Sequence, residues 1–391
     1  MTVTDRRTEA PPGWLVLLLA VACGLTVANL YYTQPLLSLL GDTFKITPVA
    51  AGGLITATQL GYAAGMILLV PLGDRAETRR LVSTLLVVTT VGLTVAGIAP
   101  TYPLLLAGAL ISGATSVVVQ ILVPYAAGLS PDHLRGRIVG QVVSGLLFGV
   151  LLSRTVGSLL AEATNWRVVF LVAAGMMAVL SVALRFALPR REPTTRVPYA
   201  ELLLSTVRLV RQHQPLRRRA LYQAAMFGAF SAFWTTVSYV LTAPPFGFSQ
   251  LGVGIFALVG AGGALVAPIA GRLADRGLSR PLTAAAFVTA AVAFGIAGFG
   301  AHNVIFLAVA AILIDMAVQG SLIFGQHTIY ALDPAARSRL NSVYLATFFL
   351  GGAIGSQLGA YAYHLGGWTG VAVFGALLPI LALTYWTTER P

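Results

Sequence analysis

Charge is scarce in this chain. Only 10% of its 391 residues are Asp, Glu, Lys or Arg, against about 25% in soluble domains. Lysine is nearly absent: Lys45 stands beside 24 arginines. Acidic residues number 13, which leaves a formal net charge of +12. The single cysteine, Cys23, excludes an internal disulfide and a cysteine metal cluster. The five histidines show no metal-ligand spacing. There is no phosphate-binding loop and no nucleophile elbow, so ATP-driven work by this chain and acyl-transfer chemistry are both excluded. No enzyme activity, cofactor or metal is expected.

Apolar length is what the chain does have. Hydrophobic residues make up 57% of it and the mean hydropathy is +0.82, so its solvent is lipid. A helix needs about 20 apolar residues to cross a hydrocarbon core of about 30 Å. Twelve runs meet that length: 14–38, 48–72, 81–99, 103–128, 138–161, 167–188, 219–242, 249–271, 281–300, 303–327, 339–363 and 367–387. An all-α integral membrane protein is therefore expected, with short loops and no separate catalytic domain. "LAVAC", ending at Cys23, looks like a lipoprotein cleavage box. The apolar run continues to Leu40, however, so a retained first helix is expected. The longest polar stretch, 190–218, contains "PYAELLLSTVRLVRQ", which reads as an amphipathic helix on the membrane face.

With twelve spans and an inner N-terminus, 21 of the 25 basic residues fall on the inner side. That asymmetry orients both termini toward the cytoplasm. It also accounts for a pI near 10.3 without nucleic acid. The expected setting is the inner (cytoplasmic) membrane, with the bilayer and a small solute as partners and a monomer as the unit.

The chain repeats itself. At an offset of 201, Gly53, Gly61, Ala63, Leu72, Asp74 and Arg75 match Gly254, Gly262, Ala264, Leu273, Asp275 and Arg276. At 202, Arg135, Arg137, Gly149, Gly157 and Trp166 match Arg337, Arg339, Gly351, Gly359 and Trp368. Residues 1–189 and 219–391 thus read as two copies of a six-helix unit, joined by 190–218. Six helices per copy give both the same orientation. Such parallel repeats are a transporter architecture, with the site between the halves near the midplane.

"GRLADRGLSR" at 271–280 carries Gly271, Leu273, Ala274, Asp275, Arg276 and Arg280 in the spacing of a loop motif of the major facilitator superfamily. "VPLGDRAETRR" at 70–80 keeps Leu72, Asp74, Arg75 and Arg79 of it. The whole chain resembles that superfamily. "ANLYYTQPLL", "VVVQILVPYAAGL", "RGRIVG" and "FLGGAIGS" look like a bacterial branch that includes exporters of sugars, purine ribonucleosides and drugs. The resemblance implies a twelve-helix fold in which the first, fourth, seventh and tenth helices line the cavity. Gly140, Gly149 and Gly157 follow the spacing of an antiporter motif in the fifth helix, but Ser153-Arg154 replaces its Gly-Pro and Ser158 its last glycine. The fourth-helix arginine of the family is Ala109 here.

Asp74 and Asp275 lie near the starts of the eleventh and fifth spans. A carboxylate near a helix N-terminus is stabilised by about 0.3–1 kcal/mol. With Arg75, Arg79, Arg276, Arg280, Arg135 and Arg337, they read as a latch that closes the cytoplasmic side. The alternative is a set of topology charges solvated by water and headgroups.

Asp315 and Arg154 sit inside apolar spans, where a charge costs about 2.5–3.5 kcal/mol or more. Asp315 reads as the proton carrier, with a structural, permanently neutral role as the alternative. Arg154 keeps its proton. It lies about 10 Å from its helix end and Asp315 about 18 Å from its own, so they can pair; snorkelling is the other reading of Arg154. Asn29, Tyr32, Gln120, Gln223, Phe227, Trp234 and Gln319 supply polar and aromatic faces for a small polar or amphipathic solute, although helix packing would use the same residues. Tyr31, Trp166 and Trp368 read as interface anchors. The expected function is secondary transport, as proton-coupled export or else symport or uniport. A sensor on a transporter scaffold is a further alternative.

Overall fold

The computed structural model describes residues 10–190, 197–264, 266–333 and 336–389. Arg6, Arg7, Arg191, Arg196 and Arg390, counted above among the inner basic residues, lie outside the described residues. The described chain is helical, with no strand among the described residues. In order the helices are α1 (Gly13–Ala28), α2 (Leu37–Phe44), α3 (Pro48–Leu68), α4 (Leu72–Arg75), α5 (Thr78–Ile98), α6 (Tyr102–Thr115), α7 (Val118–Leu129), α8 (Arg135–Ala163) and α9 (Trp166–Ala187). After them come α10 (Tyr199–Gln212), α11 (Gln214–Thr242), α12 (Gln250–Ala257), α13 (Ala261–Ala264), α14 (Val266–Asp275), α15 (Ser279–Gly298), α16 (Val304–Tyr330) and α17 (Arg337–Thr387).

Several helix starts are written locally. Thr47 caps α3 by accepting from the Ala50 amide at 3.3 Å, with Pro48 at the first position. Asn165 caps α9 at Arg167 N (3.0 Å), and Asn303 caps α16 at Ile305 N (2.9 Å). Short polar side chains at these places satisfy amides that the helix leaves without partners.

Nine stretches among the described residues are long and apolar enough to cross a membrane. Large apolar side chains such as Val179, Phe186, Phe299 and Leu365 are exposed on the outside, as a lipid solvent requires. α11 is the reverse: every residue from Met226 to Ser238 is buried.

The helices depart from unbroken apolar runs in three places. The first run breaks after α1 into turns and a 3-10 turn at Gln34–Leu36, where Pro35 has no N–H to give. The eighth run breaks at a 3-10 turn, Leu258–Gly260, and continues as α13 and α14. The fourth run is interrupted by a turn between α6 and α7, and Pro124 within α7 has no N–H for the carbonyl of Gln120. α17, conversely, joins two apolar runs across a kink at Gly366–Gly367. Gly367 has φ +56° there, a conformation that a side chain would strain.

α1 packs along α8, α3 along α6, and α5 along α6 and α9; further on, α11 packs along α17, and α15 along α16 and α17. Contacts between these two sets run chiefly through α3 with α17 and α8 with α12. Small residues permit the closest approaches. Gly145 and Gly149 lie on the backbone of Ala20 and Gly24, and Gly351 and Gly355 on that of Ala224 and Gly228. The antiporter-like spacing of glycines suits close packing against the second copy. Instead Gly149 packs on α1 and Gly157 beside Tyr32. The α8 contact to the second set runs through Thr155 and Ser158, against Gly254.

Gly355→Val should therefore lower the thermal stability of the purified protein. Overpacking of this kind typically costs about 1–3 kcal/mol, and here the obstacle is backbone. Gly175→Ala, at an exposed helical position with nothing within 4 Å, should leave the melting temperature unchanged or slightly raised. Equal melting curves for Gly355→Val and the parent would show that the stripe is not tightly packed.

α10 lies across the arginine-rich end. It buries Leu202, Thr206 and Leu209 on one face, which is the helical spacing. Tyr199 donates to Leu68 O of α3 (2.5 Å), and Arg339 of α17 donates to Ser205 Oγ (2.9 Å). α10 is thus tied to both helix sets.

Candidate functional site

A cavity of about 690 Å³ lies between the two helix sets, within the range of small-molecule sites. Its mouth is at the arginine-rich end, beside Tyr330, Arg337, Ser338 and Asn341. Its walls are apolar over most of their depth, with Val123, Val139, Val143, Leu146 and Leu147 on one side. Phe227 and Phe348 stack with centroids 3.6 Å apart, and Phe230 stacks on Phe227 at 5.2 Å. Gln120 and Gln319 supply polar wall groups, Gln120 donating to the Tyr62 hydroxyl at 3.2 Å.

The deep end holds Tyr31, Arg154, Phe230, Gly260 and Asp315. Two broken runs bring these together. The irregular stretch between α1 and α2 delivers Tyr31 and Gln34, and the glycine-rich break after α12 faces Asp315. A Cβ at Gly260 would lie 2.6 Å from Asp315 Oδ2, and one at Gly263 would meet Asp315 Cβ. Non-helical backbone is tolerated at membrane depth where it lines a cavity.

Arg154 is 3% exposed, so its side chain turns inward rather than snorkelling to a surface. Its guanidinium lies 4.3 Å from the Trp234 ring centroid, 5.1 Å from Tyr31 and 5.5 Å from Phe230. Its Nε donates to Gln34 Oε1 at 2.7 Å. Such a cage gives a buried cation about 2 kcal/mol or more of cation–π attraction. The Trp234 indole donates to Asp315 Oδ1 at 3.0 Å. Trp234 therefore touches both charged groups, and Arg154 and Asp315 form no direct ion pair.

The structure brings Gln120, Phe227, Gln319, Arg154 and Asp315 to the cavity wall. It places four other candidates behind it. Asn29 donates to Ser116 Oγ and Met177 Sδ, both at 3.4 Å. Gln223 donates to Val318 O at 3.2 Å. Tyr32 packs beside Gly157, and Trp234 reaches the site through Asp315. Of the adjacent tyrosines, Tyr31 faces the cavity, because the backbone turns after Ala28 and helical phase no longer applies. Trp166 and Trp368 are buried, Trp368 donating to Ala297 O at 2.6 Å. Tyr31, Gln34 and Asn341 were missed. "NLYYTQP" and "GAGGA", interruptions in apolar runs, are the signals that point to the two breaks.

Asp275, Arg135, Arg337 and Arg280 make contacts near in sequence or within one helix set. Asp275 lies 3.7 Å from His327 of α16. Arg135 pairs with Asp132 and donates to Ala127 O at 3.2 Å. Arg337 donates to Tyr330 O (3.1 Å) and Arg280 to Glu389 O (2.5 Å). Asp74 and Arg75 lie in α4, Arg79 at the start of α5, and Arg276 just after α14. At the far end the two sets meet. Thr56 Oγ1 lies 3.0 Å from Ser356 Oγ, Gln357 donates to Val49 O (3.1 Å), Tyr239 to Leu37 O (3.2 Å) and Thr155 to Gly254 O (2.8 Å).

Known proteins resemble this chain throughout. The transporter YgaY of Escherichia coli O157:H7, itself uncharacterized, is 40% identical over 98% of this chain and 97% of its own length. SCO4007 of Streptomyces coelicolor, named a probable transporter, is 36% identical over 96% of this chain and 87% of its own. In fold, the nucleoside transporter NupG superposes with a TM-score of 0.78 at 15% identity, covering 95% of this chain and 99% of that one. A bacterial homolog of the lysosomal transporter Spinster, inward-facing and occupied, gives 0.77 at 13% identity, covering 97% of each chain. The sequence model of the Major Facilitator Superfamily matches residues 17–331 and again 255–391. With a family match over most of its length, relatives named as transporters and a membrane-helix fold around a central cavity, the chain belongs to the Major Facilitator Superfamily of membrane transporters.

Proposed function

We propose that the chain is a twelve-helix, proton-coupled exporter of a small amphipathic solute in the inner membrane, working by alternating access. α17 counts as two spans across its kink, and the broken first and eighth runs complete the twelve. Residues 1–189 and 219–391 are the two lobes, and 190–218 with α10 is the strap between them. The excess of arginine at one end makes that end cytoplasmic, and both termini lie there.

One observation carries this reading: the cavity reaches the arginine-rich end while hydrogen bonds close the far end. That is one of the two states that alternating access requires. In it the lobes part at the cytoplasmic side, which fits Asp275, Arg135, Arg337 and Arg280 bound within their own lobes. In the other state Asp74, Asp275 and their neighbouring arginines close that side. Asp315 is the proton carrier, and Arg154, fixed in the opposite lobe, is the charge against which it acts. Stacked phenylalanines with Gln120 and Gln319 suit a solute with an apolar ring and polar edges. Import by symport would use the same cavity, but the antiporter-like spacing in α8 favours exchange.

The test starts with melting of purified protein against sugars, nucleosides and amphipathic drugs. A ligand stabilises by RT ln(1 + [L]/Kd), about 2.7 kcal/mol at 100-fold excess over Kd. The solute that stabilises should show counterflow in proteoliposomes, and a pH gradient of the exchanging sign should accumulate it. Accumulation under the opposite gradient alone would make the protein a symporter. Binding without counterflow would make it a sensor.

A further inference from the structure

Beside the cavity, on the closed side of Arg154, is a second and much smaller space of about 10 Å³. That is close to the minimum of about 10–15 Å³ that holds one water-sized occupant. Gln34, Pro35 and Arg154 form one wall, and Trp234, Val237, Ser238, Val253, Phe256 and Ala257 the other. The first group comes from the first half of the chain and the second from the second half, so the space is built across the seam between them.

Three of its wall residues carry buried polar atoms without hydrogen-bond partners: Arg154 Nη2, Gln34 Nε2 and Ser238 Oγ. All three side chains are more than nine-tenths buried. Gln34 is oriented by its other end, since its Oε1 accepts from Arg154 Nε at 2.7 Å. That leaves its amide N–H groups for the space. Arg154 has donors only, an amide nitrogen donates only, and a serine hydroxyl can do either. The Trp234 N–H is taken by Asp315 at 3.0 Å. The remaining walls are apolar.

The lining thus offers donors from a guanidinium that keeps its charge, an amide and a hydroxyl. Among the lining's side-chain atoms left without a partner, the only one that can accept is Ser238 Oγ. A water could accept from two of these donors but would find one unpartnered side-chain acceptor for its own two hydrogens. A small anion uses all three donors and also balances the charge. A buried charge without an ion-pair partner costs several kcal/mol, and among the described residues no carboxylate lies within ion-pair distance of Arg154, Asp315 meeting it only through Trp234. We propose that this space binds a single small monovalent anion of the halide class, chloride being of suitable size, held by Arg154, Gln34 and Ser238. Arg154 and Gln34 are long side chains that can yield slightly to an ion larger than water. Because the site spans the seam, the bound anion joins the two halves beside the Thr155–Gly254 bond and favours the state closed at that end.

The test is melting of the purified protein in sodium chloride, bromide or gluconate at equal ionic strength. Chloride and bromide should raise the melting temperature over gluconate and saturate with concentration. Ser238→Ala should shift that dependence to higher anion concentration. Gln34→Glu, which places a carboxylate against Arg154, should remove the dependence while remaining as stable in gluconate as the parent is in chloride. A crystal grown in bromide should show an anomalous peak within hydrogen-bond distance of Arg154 Nη2. Identical melting of the parent in all three salts would overturn the site, with water as the occupant. A chloride dependence unchanged in Gln34→Glu would overturn it as well, by placing the anion elsewhere. None of these measurements uses transport, so the anion site and the exporter reading stand or fall separately.

Discussion

Replacing Asp315 by asparagine is expected to reduce solute movement driven by a pH gradient to that of protein-free vesicles, while counterflow of the same solute persists. The substitution is nearly isosteric. The side-chain oxygen of asparagine can still accept from the Trp234 indole, now 3.0 Å from Asp315 Oδ1. The slot between Gly260 and Gly263 is filled to the same extent, so the cavity keeps its shape. What is lost is proton exchange, because an amide cannot load and release a proton as a carboxyl group does. Asp315→Glu keeps that chemistry but lengthens the side chain toward Gly260, where even a Cβ would lie 2.6 Å from Oδ2. Its driven transport should fall too, with a lowered melting temperature that Asp315→Asn does not share. Intact gradient-driven transport by Asp315→Asn would remove Asp315 as the proton carrier.

The second large effect is a reversible lock. Thr56 Oγ1 and Ser356 Oγ lie 3.0 Å apart across the closed end, so cysteines at both positions are close enough for a disulfide with modest adjustment. The only native cysteine, Cys23, is buried in α1 and does not compete. Oxidation of Thr56→Cys/Ser356→Cys should abolish transport, and a reductant should restore it. Each single cysteine should behave as the parent. Solute binding should survive oxidation, because the cavity mouth lies at the opposite end. Undiminished turnover by the cross-linked protein would contradict rocking of the lobes about the cavity.

Arg154 illustrates how far a sequence carries. Its presence in an apolar run marks it as costly, and so as a place to look. Its partners could not be read from the run. Gln34, 120 positions away, holds its Nε, and three aromatic rings surround it, Tyr31 from the turns after α1 and Phe230 and Trp234 from α11. The adjacent Tyr31 and Tyr32 differ in role only because the chain leaves the helix at Ala28. Trp234 was placed on a cavity face by helical spacing. It stands behind the wall and acts through the carboxylate it touches. Gln223 and Asn29 share helical faces with cavity residues, yet their amide nitrogens donate to Val318 O and Ser116 Oγ.

Hydropathy and run length determined by themselves that the chain is helical and lies in lipid, because each span must satisfy its own backbone hydrogen bonds. The repeated glycines, arginines and aspartates likewise point to an internal duplication without coordinates. Only the tertiary structure decided which face of each helix meets the cavity, which end is closed and how Arg154 is joined to Asp315. The physical reason is the solvent. Lipid and protein interior are equally apolar, so hydropathy cannot tell a lipid-facing side from a packed one. That choice is made by shape, through small residues that let particular backbones touch and through polar atoms that find partners far away in sequence.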